Sequence, residues 1–189
     1  MATRKILYCG EPALRKQAKR VRNIDDRVVE LLRDLTETML ENAGLGLAAP
    51  QVGEPIAAIV VRADPDGEGT LELINPRIVE KEGENEDMEG CLSLPTLRGL
   101  VVRPERVLVE AITREGEEIT VEGDGLMARA LAHETDHLVG RLFTDEVIPD
   151  SLAWLRPDDS EDSGYRLEPT TMEEAMEAFE RLRRRRSDP

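Results

Sequence analysis

The stretch LAHETDHLVGRLF, residues 131–143, constrains this chain most, because it contains the only two histidines, His133 and His137. Side chains four residues apart project from one face of an α helix, so both imidazoles can bind the same cation. Glu134 then lies beside that cation, where its carboxylate can reach a bound water without being a ligand. The sequence therefore predicts a metal-binding helix over about residues 126–139.

Two histidines need a third ligand, and its identity decides which chemistry the site performs. In one extended pattern, H-E-x-x-H-x-x-G-x-x-H, a third histidine follows a glycine. Gly140 matches, but Phe143 occupies the ligand position and cannot coordinate a metal. A carboxylate from Glu146 or Glu161 remains open, although Glu146 follows the helix very closely and Glu161 lies in an acidic segment.

Cys91, in EGCLSLP, is the better candidate for the third ligand. A thiolate binds zinc or iron well, and the neighbouring Gly90 allows the backbone to approach a metal closely. The other cysteine, Cys9, has no such setting and is predicted to be structural. Two cysteines are also too few for a disulfide framework.

The rest of the pattern predicts an α+β fold. A helix over residues 23–43 has apolar residues at helical spacing, with Gly44 directly after its end. Short β-branched runs separated by turn signals predict strands of small mixed or antiparallel sheets, at residues 56–61, 71–75, 101–103, 107–113 and 119–121. These elements are expected to pack around the metal-binding helix.

The chain divides into three predicted segments. Residues 1–150 contain every candidate for the metal site and form the predicted catalytic domain. Residues 151–168 are acidic and polar, and are expected to form a linker or loop. Residues 169–189 predict an amphipathic helix with a basic end, which either docks on the body or contacts nucleic acid.

Charge and hydropathy exclude several classes of partner. The formal net charge of −15 argues against a DNA-binding groove, because phosphates would be repelled. No apolar run is long enough to span a bilayer, and the N-terminus lacks the apolar stretch of a signal peptide. We therefore expect a cytoplasmic protein with neither DNA nor membrane as a partner.

A third motif, GLGLAAPQVG, joins the two already described. Together they make the sequence resemble the peptide deformylases, whose signatures are G-x-G-L-A-A-x-Q, E-G-C-x-S and H-E-x-D-H. Here these signatures stand at residues 44–51, 89–93 and 133–137, and the similarity extends from about residue 5 to residue 147.

The resemblance implies roles for six residues. One divalent metal would be held by Cys91, His133 and His137, with water or hydroxide in the fourth position. The family usually uses ferrous iron in the cell, and zinc, nickel or cobalt can occupy the site. Glu134 would be the general base and then the general acid, while the Gln51 amide and the Leu92 N–H would stabilise the oxyanion.

The implied substrate is the N-formyl group of a nascent chain that begins with formyl-methionine. Hydroxide on the metal would attack the formyl carbon and release formate. The predicted substrate-binding residues are Gly44, Leu45, Gly46, Gly90, Leu126 and Ala130. Leu45 and Gly46 are expected to pair with extended peptide backbone, and Leu126 and Ala130 either line the methionine pocket or belong to the core.

Two alternatives remain. The chain could be a zinc peptidase built on the same H-E-x-x-H helix, or a non-catalytic relative that accompanies ribosomes. Arg103 and Asp136 are candidates for hydrogen-bond support of the ligands. The basic C-terminal helix is a candidate for transient ribosome contact, since the substrate emerges there.

Overall fold

The metal-binding helix predicted from the histidine spacing is helix α2, Gly125–Leu138. The computed structural model describes residues 3–63 and 69–187. Within them α2 packs on one antiparallel sheet, through Ala128, Leu131 and Leu138. The opposite side of the helix carries the histidines toward a second sheet, in which Cys91 ends a strand.

The first sheet has five antiparallel strands. In spatial order they are β1 (Gly46–Ala48), β2 (Ala58–Arg62), β3 (Thr70–Glu82), β6 (Arg106–Ile112) and β7 (Glu118–Asp124). The buried residues Ile59, Leu73 and Val109 point from this sheet to α2. Since β1 pairs only with β2 among the described strands, it is an edge strand.

The second sheet has four antiparallel strands. In order they are β4 (Asn85–Cys91), β5 (Leu94–Arg103), β8 (Ala153–Pro157) and β9 (Tyr165–Pro169). β4 is an edge strand as well, with β5 as its partner. No strand was predicted over β4, because its first residues, NEDME, are mostly acidic and disfavour strands.

The N-terminal helix, α1, spans Asp26–Glu41 and is capped by Asp25, whose side chain accepts a hydrogen bond from the Val28 N–H. Its end differs from the prediction. Ala43, not Gly44, adopts the left-handed conformation, with φ of 50°. A Cβ on Gly44 would lie 2.9 Å from Leu92 Cδ1, so a larger residue there would require the Leu92 side chain to move. The end of α1 is therefore fitted to the turn that follows β4.

The C-terminal segment corrects the expectation of a linker. Residues 151–168 contain β8 and most of β9, and only residues 158–164 form a loop between these two strands. The hairpin is largely solvent-exposed and contains many polar side chains. This composition is why the sequence predicted a linker or loop here. Helix α3, Met172–Ser187, follows; residues 188 and 189 lie outside the described residues.

Helix α3 docks on the body of the protein. Ala175 and Phe179 are buried in the core cluster that also contains Leu94 and Leu97 of β5. The Phe179 ring lies 5.6 Å from the ring of Trp154 on β8, between centroids. The apolar stripe predicted for this helix is therefore its docking face.

Replacing Phe179 with alanine should destabilise the protein, because it removes a buried ring and leaves a cavity. We expect the free energy of unfolding to fall by about 3 kcal/mol, measured by chemical denaturation. The control is Glu177→Ala, on the exposed side of the same helix. This substitution should change the free energy of unfolding by less than about 0.5 kcal/mol. Equal effects of the two substitutions would contradict the docking of α3.

Candidate active site

Three buried side chains converge at the junction of α2 and β4. His133 and His137 project from one side of α2, and their Nε2 atoms are 3.2 Å apart. Cys91 Sγ lies 3.4 Å from His137 Nε2. All three donor atoms lie within 4.8 Å of one another, and among the described residues only this group of His, Cys, Asp and Glu side chains is so arranged.

These separations suit one tetrahedrally coordinated cation. With metal–nitrogen distances of about 2.1 Å and metal–sulfur of about 2.3 Å, ligand atoms should be about 3.4 to 3.6 Å apart. The other carboxylates considered as third ligands do not join the group. Glu146 is exposed and pairs with Arg141, and Glu161 is exposed in the hairpin loop. Phe143, at the failed ligand position, stacks its ring 6.4 Å from that of His133.

The two imidazoles differ in their electrostatic environment. Burial opposes a proton on His133, but the nearby Cys91 and Glu89 outweigh it and raise the pKa of His133 well above its ordinary value. Burial and the charge of His133 hold the pKa of His137 well below its ordinary value. Only the environment of His133 therefore favours positive charge.

Glu89 contacts His133, one of the predicted metal ligands. The His133 Nδ1 lies 2.6 Å from Glu89 Oε1, and in the tautomer that donates from Nδ1 to this carboxylate the Nε2 is free to coordinate a metal. Burial would raise the pKa of Glu89, but hydrogen bonds from His133 and Arg103 outweigh it and hold the pKa well below its usual range. The carboxylate is therefore ionised and fixed.

Two buried arginines hold Glu89 in place. Arg103 donates to both Glu89 oxygens, at 2.8 and 3.0 Å, and Arg129 donates to Glu89 Oε2 at 3.0 Å. Arg103 also contacts Asp136 Oδ2 at 2.5 Å, so the two residues proposed from sequence as support lie together. Glu89 and Arg129 were missed as supporting groups. Arg129 stands four residues before His133 on α2, a spacing that could have revealed it.

Glu134 lies against the backbone of β1. A Cβ on Gly46 would lie 2.5 Å from Glu134 Oε1, so only glycine leaves room for the carboxylate. Glu134 Oε2 is buried without a hydrogen-bond partner among the described residues. Burial raises the pKa of Glu134 to about 7, although the charge of His133 acts in the opposite direction. A carboxyl group with this pKa can both accept and release a proton near neutral pH.

Gln51 is held so that its amide nitrogen faces the triad. It lies in a short 3₁₀ helix, Ala49–Val52, and its Oε1 accepts a hydrogen bond from the Ala48 N–H at 2.8 Å. Its Nε2 is therefore turned to Cys91 Sγ, at 3.5 Å, and to Ser93 Oγ, at 3.2 Å. Leu92 lies next to Cys91 in the turn between β4 and β5.

A cavity of about 620 Å³ opens onto this group. It is lined by all the predicted substrate-binding residues: Gly44, Leu45, Gly46, Gly90, Leu126 and Ala130. Leu126 is 43% exposed, whereas Ala130 is buried, so the two residues do not share one environment. The cavity lies between the edge strands β1 and β4, and residues of both strands line it.

Comparison with known proteins agrees with this geometry. The family model described as polypeptide deformylase matches residues 3–152. A peptide deformylase from Acetivibrio thermocellus is 56% identical over 148 residues, which is 78% of this chain and 85% of the relative. None of the described helices is long and apolar enough to cross a bilayer.

Solved structures are similar as well. A peptide deformylase from Legionella pneumophila has a TM-score of 0.79 and 34% identity, and 99% of each chain is covered. A class I type b peptide deformylase from Acinetobacter baumannii, solved with Met-Ala-Ser bound, has a TM-score of 0.73 and 33% identity. That comparison covers 77% of this chain and 98% of the other.

Removing the charge of Glu89 should weaken metal binding, because His133 loses the partner that fixes its orientation and proton. We expect Glu89→Gln to lower the affinity for Co²⁺ roughly 10- to 100-fold, measured by spectroscopic titration against a competing chelator. Glu86→Gln, an exposed change on the same strand, is the control and should bind normally. Unchanged affinity in Glu89→Gln would show that His133 does not depend on this carboxylate.

Proposed function

This chain belongs to the peptide deformylase family, and from that membership we propose that it removes the formyl group from formyl-methionyl peptides and releases formate. The observation that supports this most is the buried Cys91–His133–His137 group with Glu134 beside it. Family membership makes the chain a metal-dependent hydrolase. The residue roles that follow are our assignment.

Cys91, His133 and His137 hold the metal in this proposal. When bound, the metal supplies a Lewis acid that activates water and polarises the formyl oxygen. We assign ferrous iron as the metal in the cell, with zinc, nickel or cobalt as substitutes, because a thiolate and two imidazoles suit these ions. Glu89 keeps His133 in the tautomer that can coordinate.

Glu134 moves the proton. Its carboxylate accepts a proton from the attacking water and then gives one to the leaving amine nitrogen. The burial that raises its pKa to about 7 supports both steps at neutral pH. Contact with Gly46 fixes the carboxylate at the wall of the cavity, where a peptide bound along β1 passes it.

The Gln51 Nε2 and the Leu92 N–H are proposed to stabilise the oxyanion that forms from the formyl carbonyl. Gln51 is prepared for this because the Ala48 N–H fixes the other end of its amide. A preorganised donor of this kind lowers the barrier by about 3 kcal/mol.

The peptide is proposed to bind as an extended strand between the two sheets. The edge strands β1 and β4 offer backbone hydrogen bonds on either side, near Leu45, Gly46 and Gly90. The half-exposed Leu126, with Ala130 one helical turn further on, lines the wall that we assign to the methionine side chain. A relative from Acinetobacter baumannii was solved with Met-Ala-Ser bound.

The activity is tested with the protein purified without oxygen and loaded with Fe²⁺. We expect the wild type to release formate from formyl-Met-Ala-Ser. We expect Glu134→Ala to retain its metal but to lower turnover by roughly a hundredfold or more. The control is Thr135→Ala on the same helix, whose side chain bonds only to the Leu131 carbonyl. Cleavage of an internal peptide bond without formate would indicate a peptidase instead, and turnover in Glu134→Ala would remove its assigned role.

We also propose that α3 brings the enzyme to the ribosome, and hence that it acts in the cytoplasm. Nascent formylated chains appear there, and the end of α3 carries exposed arginines, including Arg181, Arg184 and Arg185, to which phosphate-bearing RNA would be attracted. Arg181 and Arg184 also pair with Glu177 and Glu180 on the same helix. The overall charge of the protein is −15, so the cluster is a local feature of an acidic protein. Contact would therefore be local, weak and sensitive to salt.

Removing two of these arginines should weaken ribosome association. We expect Arg184→Ala with Arg185→Ala to reduce cosedimentation with ribosomes about fivefold at low salt, with a shallower salt dependence. A matched control replaces Arg20 and Arg22, which are also exposed, with alanine. If both double variants bound equally well, the C-terminal helix would have no part in ribosome contact.

A further inference from the structure

Arg129 makes contacts that the roles assigned above do not use. It lies on α2, one helical turn before His133, and its side chain is buried. Besides Glu89, its guanidinium reaches the backbone of two strands of the second sheet. Its Nη1 donates to the Val101 carbonyl on β5 at 3.0 Å, and its Nη2 donates to the Asn85 carbonyl on β4 at 2.8 Å.

Strand β4 begins with side chains that do little to hold it in place. Asn85, Glu86 and Asp87 are exposed, and residues of these types are disfavoured in strands. Among the described strands β4 pairs with β5 alone. Arg129 adds two hydrogen bonds to Asn85, one to its carbonyl and one, at 3.1 Å, to its side-chain Oδ1. The first residue of β4 is thus attached directly to α2.

Strand β4 is attached to α2 at a second point as well. There, Arg129 and His133 both contact the carboxylate of Glu89. Asn85 and Glu89 are four residues apart in sequence, a separation of about 13 Å along an extended strand. A strand held at one point can pivot about it, whereas two attachments fix its direction as well as its position. Arg129 takes part in both attachments.

The other buried arginine, Arg103, acts at the second point. It donates to both oxygens of Glu89 and to Asp136 on α2. If Arg129 were lost, Glu89 would keep both hydrogen bonds from Arg103, and its carboxylate would still face the metal ligands. The beginning of β4 at Asn85 would lose its attachment to α2. Removing either arginine should therefore affect a different part of the site.

Strand β4 forms part of the wall of the active-site cavity, and Met88, Gly90 and Arg129 all line that cavity. A peptide that pairs along β4 with its formyl group near Cys91 passes Gly90 first. It passes Met88 about 7 Å further along the strand. The position of Met88 relative to the metal ligands depends on the direction of β4, which the attachment at Asn85 sets.

We propose that Arg129 is a positioning residue for the peptide substrate. By fixing the beginning of β4 to the helix that carries two metal ligands, it aligns the strand along which the second and third residues of a formylated peptide bind. This role rests on the proposed deformylase function. It is supported by the hydrogen bonds to Asn85, which are separate from those to Glu89, and by the place of Met88 in the cavity wall.

The first test compares substrates of two lengths. Formyl-Met-Ala-Ser is long enough to reach Met88, whereas formyl-Met amide ends near Gly90. In Arg129→Met we expect KM for the longer substrate to rise roughly tenfold with kcat changed by less than about twofold, because ground state and transition state lose the same binding. KM for formyl-Met amide should change by less than about twofold.

The two lengths also separate this role from a general loss of activity. An equal rise in KM for both substrates, or no rise for either, would overturn the positioning role of Arg129. Failure of the wild type to release formate from either substrate would instead overturn the deformylase function itself.

The second test measures metal binding in the two arginine variants. Arg129→Met should bind Co²⁺ within about threefold of the wild type, whereas Arg103→Met should lower the Co²⁺ affinity roughly tenfold, because Glu89 loses two of its hydrogen bonds. Arg77→Met, an exposed change on β3, is the matched control and should behave as the wild type does. Equal losses of Co²⁺ affinity in the two buried-arginine variants would show that Arg129 acts only through Glu89, and would overturn the proposal.

A conservative variant covers the case in which Arg129→Met does not fold, which thermal melting would reveal. Arg129→Lys keeps a positive charge beside Glu89, but its single ammonium group cannot reproduce the fork that reaches Asn85 and Glu89 together. We expect a smaller rise in KM, confined again to formyl-Met-Ala-Ser. Wild-type KM for this substrate in folded Arg129→Lys would contradict the need for both attachments.

Discussion

The hydrogen bonds to the Glu89 carboxylate are the interactions on which the rest of this structure depends. The carboxylate accepts hydrogen bonds from His133 and from two buried arginines, Arg103 and Arg129, and every one of these side chains is almost completely removed from water. A buried charge is tolerated only when partners compensate for lost hydration. The network therefore joins β4, β5 and α2 to one another.

The position of the site follows from this junction of two sheets. Helix α2 packs on the five-stranded sheet, whereas Cys91 belongs to the four-stranded sheet. The triad thus exists only when both sheets are folded and joined. The three side chains of the triad are therefore held by rigid elements on both sides of the site. They have little conformational freedom to lose when a metal binds.

Part of this was predictable from sequence because the relevant signals are local. Helical spacing predicted α2, and the failure of Phe143 as a ligand together with the setting of Cys91 predicted the third donor. Comparison with relatives and solved structures confirmed the family and the α+β class. Strand β4 was missed because its side chains are acidic, and the β8–β9 hairpin because most of its residues face solvent. Glu89 and Arg129 were missed for another reason. They are 40 residues apart in sequence, and although Arg129 lies one helical turn before His133 on α2, only folding brings it to Glu89.

Gly46 has a consequence for how recognition and chemistry are linked. Its missing side chain is the space that the Glu134 carboxylate fills, and its backbone belongs to an edge strand that borders the cavity. A ligand that pairs with this strand is therefore aligned with the Glu134 carboxylate by the same contact. A shift of one residue in pairing would bring a different amide beside Glu134, so the register of binding, more than the strength of binding, decides which bond is exposed to reaction.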